Sequence, residues 1–230
     1  MKKLAIFVEG KTEQIFVKKL LTEIAGKLHI FIEIKSRKNS NSAKVIMKDS
    51  VTSVTKFYVL LYNSCNDETV VSDIRELHNS LSIEGYERII GLRDVYPIPI
   101  AEKSKLQRGL NYSLPKGSIP INIVLAVMEI EAWFLAEYNH FLKIDTILTP
   151  DKIQELFHFN PQTDDMEARL KPSDDIKNIY NYVGKGYDKS EKQLNRLAAN
   201  LDYEFIYIKL ANSVPSLGEF IGYIDRFMIS

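Results

Sequence analysis

Leu4-Ala5-Ile6-Phe7-Val8-Glu9-Gly10-Lys11-Thr12-Glu13 is the stretch on which the reading of the whole chain turns. Five apolar residues in a row, β-branched and aromatic among them, read as a strand buried on both faces. The run stops at a carboxylate and then a glycine. From Thr12 onward the apolar residues fall at Ile15, Phe16, Leu20, Leu21 and Ile24, the spacing of an amphipathic helix, and Gly26 ends it. A strand, a glycine turn and a helix place Glu9 at the carboxyl end of a strand, the edge where open α/β sheets bind ligands. The plainer role for Glu9 is a solvated turn residue or a partner for the helix dipole.

Outward from that stretch the pattern repeats. Residues 29–35 alternate as a second strand, and Ser36-Arg37-Lys38-Asn39-Ser40-Asn41-Ser42 reads as a polar, basic loop that is either solvated or able to touch phosphate. Residues 43–55 are expected to be helical, with Val45, Ile46, Val51 and Val54 inward. A buried strand at 57–62 runs into a turn-rich tip at 63–67 and a helix at 68–81. The next strand, 86–93, ends at Asp94, where Pro97 and Pro99 force an extended loop. Residues 102–120 mix helix and loop, and another buried strand at 121–127 leads directly into Met128-Glu129-Ile130-Glu131-Ala132-Trp133-Phe134-Leu135-Ala136. Strands alternating with helices imply an α/β fold with a mainly parallel sheet flanked by helices.

Past Glu137 the texture becomes helical. Thr149-Pro150-Asp151 opens one helix, Pro161 and Pro172 punctuate shorter pieces, and 190–200 forms another. Residues 203–208 read as a strand, followed after Pro215 by a closing helix to Met228. The expected organisation is an α/β core over 1–137 and a helical cap over 138–230, whose terminal strand and helix pack back on the core, or else one single domain.

Composition narrows the function classes. The 230 residues carry 30 basic and 30 acidic side chains, which excludes a cationic coat that binds nucleic acid by counterion release over its whole surface. One cysteine, Cys65, forbids an internal disulfide and a cysteine-rich zinc site. His29, His78, His140 and His158 lack metal-ligand spacing and are expected at the surface or its boundary. The first apolar run is too short for a signal peptide, and no stretch approaches the roughly 18 apolar residues of a membrane span, so a cytoplasmic protein is expected.

Three strand ends carry carboxylates: Glu9, Asp94, and Glu129 with Glu131. In a parallel sheet all these ends share one edge. Carboxylates gathered in one cleft repel one another unless a cation neutralises them. Oxygen ligands without histidine or cysteine favour Mg²⁺ or Mn²⁺, which can polarise a phosphoryl oxygen and activate water. The structural alternatives are that Asp94 caps its turn and that Glu129 and Glu131 solvate a helix start. Basic residues near the edge are Lys11, Arg93, Lys185 and Lys189, the last two in Val183-Gly184-Lys185-Gly186-Tyr187-Asp188-Lys189. That segment suits backbone approach and base stacking, or else it is a plain flexible loop. Trp133 and Phe134 read as core.

Val8-Glu9-Gly10-Lys11-Thr12-Glu13, Asp94-Val95-Tyr96-Pro97 and Glu129-Ile130-Glu131-Ala132-Trp133 together resemble a bacterial TOPRIM-like family of undefined function, similar to the TOPRIM parts of OLD-type defence nucleases. The resemblance covers roughly residues 4–137, with weaker similarity around Tyr187-Asp188-Lys189 and Ser216-Leu217-Gly218-Glu219-Phe220. It implies Glu9 as general acid/base or metal ligand and Asp94 as first member of a metal-binding aspartate pair. It further implies a Mg²⁺- or Mn²⁺-dependent nuclease acting on DNA or RNA, in a defence system with a partner ATPase. The chain departs from the pattern at Tyr96, where the second aspartate of the pair would stand, so Glu129 or Glu131 would have to complete the shell. The tip at 63–67, with Asp67 and Glu68, is the second-ranked aspartate position. A non-catalytic scaffold that binds a partner or nucleic acid, and chemistry on a small phosphoester, are the competing functions.

Overall fold

The protein, seen here as a computed structural model, is described over residues 1–39, 42–117 and 119–229. Its six strands are β1 (Lys2–Val8), β2 (Ile30–Asn39), β3 (Ser42–Lys48), β4 (Phe57–Asn63), β5 (Arg88–Asp94) and β6 (Ile121–Ala126), in the sheet order β3-β2-β4-β1-β5-β6. The stretch that opens the chain is the sheet's centre. β1 pairs in parallel with β4 on one side and β5 on the other, Leu4 standing opposite both Val59 and Arg88. Leu4, Ala5, Ile6, Phe7 and Val8 have no exposed surface, and burying each large apolar side chain contributes about 1.5–3 kcal/mol. Ile89 N–H donates to Pro120 O and Val95 N–H to Ala126 O, so β6 advances in step with β5 and lies parallel to it. The sheet is α/β and mostly parallel, as the strand–helix alternation predicts.

The chain divides into two units, one of residues 1–93, 101–125 and 219–230, the other of 94–100 and 126–218. The division lies within the last residues of β5 and β6. In the first unit α1 (Lys11–Ala25) turns Phe16, Val17, Leu20 and Leu21 inward and ends at Gly26, whose φ of 77° is the left-handed turn a glycine tolerates best. α2 (Thr69–Ile83) follows β4, and α3 (Lys103–Ser113) precedes β6. Gly91 in β5 is a packing residue: a Cβ there would lie 2.6 Å from the Ile123 Cδ1 and 3.0 Å from the Ile74 Cδ1. The last residues of the chain belong here too, with the Phe227 ring 5.8 Å from that of Phe57.

Two expectations are corrected. Residues 43–55 are not a helix: Ser42–Lys48 forms β3, the antiparallel edge partner of β2, with Glu33 opposite Lys48 and Lys35 opposite Val45. Val45 and Ile46, read as an inward helical face, are half exposed. β-branched residues within a short lysine-bounded segment favour an edge strand once a neighbouring strand is there to pair with. The basic loop at 36–42 is likewise shortened, because Ser36-Arg37-Lys38-Asn39 continue β2; Ser40 and Asn41 lie outside the described residues.

The second unit is helical: α4 (Glu131–Ala136), α5 (Asn139–Ile144), α6 (Pro150–Phe157), α7 (Pro172–Tyr182), α8 (Glu191–Asn200), α9 (Tyr203–Phe205), a π-helical turn (Ile206–Leu210) and α10 (Ala211–Ser213). α11 (Pro215–Ile229) begins in this unit and ends in the first. The strand expected at 203–208 is helical instead. Asp202 accepts from Phe205 N–H and caps the turn, and Tyr203, Ile206 and Leu210 are buried at helical spacing. Side-chain type suggested a strand, but local capping and a one-sided core decided the outcome. Trp133 and Phe134 are core, as expected, and Trp133 Nε1 donates to Ser216 Oγ at 2.7 Å. Ser216 in turn donates its backbone N–H and its hydroxyl to Glu167 Oε1. His140 is a further correction: it is fully buried, beside Glu137. Among the described residues no helix is long and apolar enough to cross a membrane.

Candidate functional site

In the second unit Val95 N–H donates to Ala126 O at 3.0 Å and Tyr96 N–H to Met128 O at 2.8 Å, which carries the strand pairing past the end of β5. Met128 has φ 58°, a left-handed conformation uncommon for a residue with a side chain, and Glu129 N–H closes a tight turn on Val127 O at 2.9 Å. That turn swings Glu129 and Glu131 toward Asp94. Asp94 Oδ1 accepts from Ile130 N–H at 2.9 Å, satisfying a donor that the start of α4 leaves without a helical partner. The structural role foreseen for Asp94 is therefore real, and it also fixes where the carboxylate sits.

Each glutamate has its own support. Glu129 receives the Ser173 N–H on Oε2 at 2.9 Å and the Ser173 hydroxyl on Oε1 at 2.8 Å, at the positive end of α7. Glu131 Oε1 accepts the Tyr187 hydroxyl at 2.9 Å and stands 2.8 Å from Lys189 Nζ. The same ammonium lies 4.0 Å from Glu129 Oε1. Burial pulls the Lys189 pKa down, but the charges of Glu131, Glu129 and Asp94 and the hydrogen bond to Glu131 outweigh it, holding the group protonated well above the ordinary lysine range. Glu129 and Glu131 thus share one cation, and that cation is the protein's own.

Burial sharpens the picture. Glu131 is 0%, Asp94 7% and Glu129 9% exposed, whereas the Lys189 side chain is 43% exposed. Glu131 Oε2 is buried and takes no hydrogen bond among the described residues. A buried carboxylate oxygen without a partner costs about 1–3 kcal/mol, so it calls for a reason. The loop that carries Lys189 is anchored by α8: Arg196 donates to Lys185 O and Gly186 O, and Gln193 Oε1 accepts from Asp188 N–H at 2.7 Å. Lys189 itself has φ 56°, a strained value that the anchoring maintains.

Of the residues the sequence singled out, Asp94, Glu129, Glu131 and Lys189 come together. Lys185 is exposed and contributes its carbonyl to Arg196, not a charge to the group. Tyr187 is only 2% exposed and packs edge-on against Tyr180, so it offers no open stacking face, one of the two readings the sequence left for this segment. Glu9, Lys11 and Arg93 belong to the first unit. Glu9 is half-buried in the turn between β1 and α1, and Lys11 opens α1. Arg93 is buried and donates to Asp67 Oδ2 at 3.0 Å, while Asn63 donates to Gln14 Oε1 at 3.0 Å and accepts from Cys65 N–H at 2.8 Å. At the second-ranked tip, 63–67, Asn63 and Asp67 are thus paired, while the Ser64 hydroxyl is buried without a hydrogen bond among the described residues. Ser173 was missed, although Pro172-Ser173-Asp174-Asp175 carries the signature of a helix start. A cleft of about 390 Å³ in the second unit, lined by Tyr138, Phe205 and Lys209 among others, has none of the clustered carboxylates in its wall.

A family model described as Domain of unknown function (DUF4276) matches residues 8–221. The chain belongs to that family. The DUF4276 match begins one residue before Glu9 and contains Asp94, Glu129, Ser173, Tyr187 and Lys189. No curated protein and no solved structure matches this DUF4276 chain. As to a metal, the oxygen donors and the partnerless Glu131 Oε2 suit Mg²⁺ or Mn²⁺ in kind. Among the described residues, however, no group of three or more His, Cys, Asp or Glu side chains is arranged to hold an ion.

Proposed function

We propose that this DUF4276 protein is a Mg²⁺- or Mn²⁺-dependent nuclease-like phosphodiesterase with Asp94, Glu129 and Glu131 as its acidic residues. One observation carries the reading: Glu129 and Glu131 both face Lys189, Asp94 accepts the N–H of Ile130, which lies between those two glutamates in the chain, and the buried Glu131 Oε2 takes no hydrogen bond among the described residues. When bound, the ion would polarise a phosphoryl oxygen and lower the pKa of a water. The chain's own residues supply the rest. Ser173 orients Glu129, Tyr187 orients Glu131, and the Ile130 N–H holds Asp94 in place. The resemblance of the three carboxylate motifs to TOPRIM-like proteins supports DNA or RNA as substrate and extends the reading to a partner ATPase.

Incubation of the protein with DNA and with RNA in MgCl₂ or MnCl₂ tests this. Cleavage is expected in wild type and is expected to vanish in Asp94→Asn and Glu131→Gln. Cleavage that persists in both variants would overturn the assignment. Glu9→Ala asks separately whether the turn after β1 takes part: loss of cleavage with Mn²⁺ binding retained assigns Glu9 the acid/base role.

A second reading has its own observation. Both Glu129 oxygens and one Glu131 oxygen already have protein partners, as they would in a scaffold that binds without cutting. Absence of cleavage together with retention of an oligonucleotide in a gel-shift assay would select it.

A further inference from the structure

The helix α3, in the first unit, has no buried residue along its 11 positions. Leu106 and Leu110, four apart, form its half-buried side, and Gln107 Nε2 beside them donates at 3.0 Å to Ile123 O on β6, the last strand of the sheet. Those contacts hold the helix against the sheet edge. Its other side carries Lys105, Arg108 and Tyr112, at spacings of three and four that align them in one stripe. All three are exposed: the Lys105 side chain is 78% and Tyr112 94% in contact with water. Lys105 Nζ stands 3.4 Å from Glu102 Oε2, and an ion pair that exposed adds little to stability. Charge is segregated here. The chain has 30 basic and 30 acidic residues, yet from Lys103 to Met128 it carries Lys103, Lys105, Arg108 and Lys116 and no acid at all. Lys103 and Lys105 fall in the first turn of α3, where the positive end of the helix dipole disfavours cations. Neither the charges nor the exposed ring stands where helix stability would put it, so both suit a partner outside the fold. That partner is polyanionic and has flat faces for the ring. A single strand of nucleic acid offers phosphates and unstacked bases together, whereas an acidic protein satisfies the charges alone.

We infer that the outer face of α3 binds single-stranded nucleic acid, with Lys105 and Arg108 on backbone phosphates and the Tyr112 ring stacked on a base. This rests on the reading of the protein as one that acts on nucleic acid, and it names a surface that holds the strand. At 1.5 Å per residue the stripe from Lys105 to Tyr112 is about 10 Å long, so a few nucleotides cover it. The contacts are to backbone and base face, which every nucleotide presents, so the face holds a strand without reading its sequence.

The test is fluorescence anisotropy of a labelled single-stranded oligonucleotide with the intact protein, in EDTA so that cleavage does not intervene, over a series of salt concentrations. Wild type is compared with the double variant Lys105→Ala with Arg108→Ala, with Tyr112→Ala and with Tyr112→Phe. The double variant is expected to bind about tenfold more weakly at low salt and to flatten the slope of log affinity against log salt by about 1.4, each lost phosphate contact accounting for about 0.7. Tyr112→Ala is expected to weaken binding about tenfold with the slope unchanged, and Tyr112→Phe to bind as wild type does, because stacking uses the ring and not the hydroxyl. All variants are expected to melt with wild type, since none of the substituted side chains is buried. If wild type binds the oligonucleotide, and the double variant and Tyr112→Ala match it in affinity and slope, the α3 face is overturned while the nucleic-acid reading stands. If wild type binds no oligonucleotide, both are overturned. If it binds polyglutamate instead, and the double variant does not, the face serves an acidic protein and the inference is overturned.

Discussion

Two buried polar clusters, one in each unit, use charge in opposite ways. In the first unit Arg93 meets Asp67, Arg37 meets Asp73, and Asn63 meets Gln14, one base to each acid, although Asp73 Oδ2 takes no hydrogen bond among the described residues. In the second unit Glu129 and Glu131 share one lysine, Lys189, and Glu131 Oε2 takes no hydrogen bond among the described residues. Matched pairs minimise the desolvation cost that any buried charge incurs, and they need nothing more. Where two acids share one base, part of that cost is left uncompensated. The contrast is between an acid with its own base and two acids that divide one.

The strongest way to break the contrast is to neutralise the unmatched cluster. Asp94→Asn or Glu131→Gln is expected to reduce Mg²⁺-dependent cleavage by about a hundredfold or more, comparable to losing any group that stabilises charge in a transition state. Quantitative cleavage assays alongside thermal melts check it; a matching collapse of the melting temperature would make the effect structural. Next comes Arg37→Met in the matched cluster. It leaves Asp73 buried without its cation and is expected to cost about 3 kcal/mol in urea unfolding, with Mn²⁺ binding unchanged. Ser173→Ala should have a smaller effect. It frees Glu129 to rotate, and Mn²⁺ affinity is expected to fall by about tenfold, in keeping with loss of a group that orients a ligand.

The mildest test is a pH dependence. Burial pushes the Asp73 carboxyl above its usual range, against the opposing pull of Ser64 and of Arg37. A carboxyl whose folded pKa is raised favours the folded state below its unfolded pKa and loses that contribution as pH rises through the folded value. Asp73→Asn removes this dependence, so the variant's stability relative to wild type is expected to be higher at pH 7 than at pH 4. Paired urea melts at the two values check the sign.

Much of this was legible in the sequence because it is local. The unbroken apolar run of β1, the glycine after α1 and the proline at the head of α6 announce their elements through a few adjacent residues. The carboxylates at strand ends could be nominated because parallel strands send those ends to one edge whatever the loops do. Elements at the margin could not. Ser42–Lys48 became a strand because β2 was beside it, and 203–208 became helical because Asp202 capped it and only one face met a core. His140 looked like a surface residue because nothing nearby in the chain shows that it would be enclosed.

The stretch from Leu4 to Glu13 determined the strand, the turn and the helix at the centre of the sheet, since five buried apolar residues followed by helical spacing leave little else for the backbone to do. The sequence also determined which acids stand at strand ends. Tertiary structure alone decided what those acids do there. The left-handed turn at Met128 aimed Glu129 and Glu131, α7 brought Ser173 to Glu129, and a distant loop laid Lys189 between them. Secondary structure follows from side chains a few residues apart. Charge balance is a sum over neighbours in space, and those neighbours come from segments that no local pattern connects.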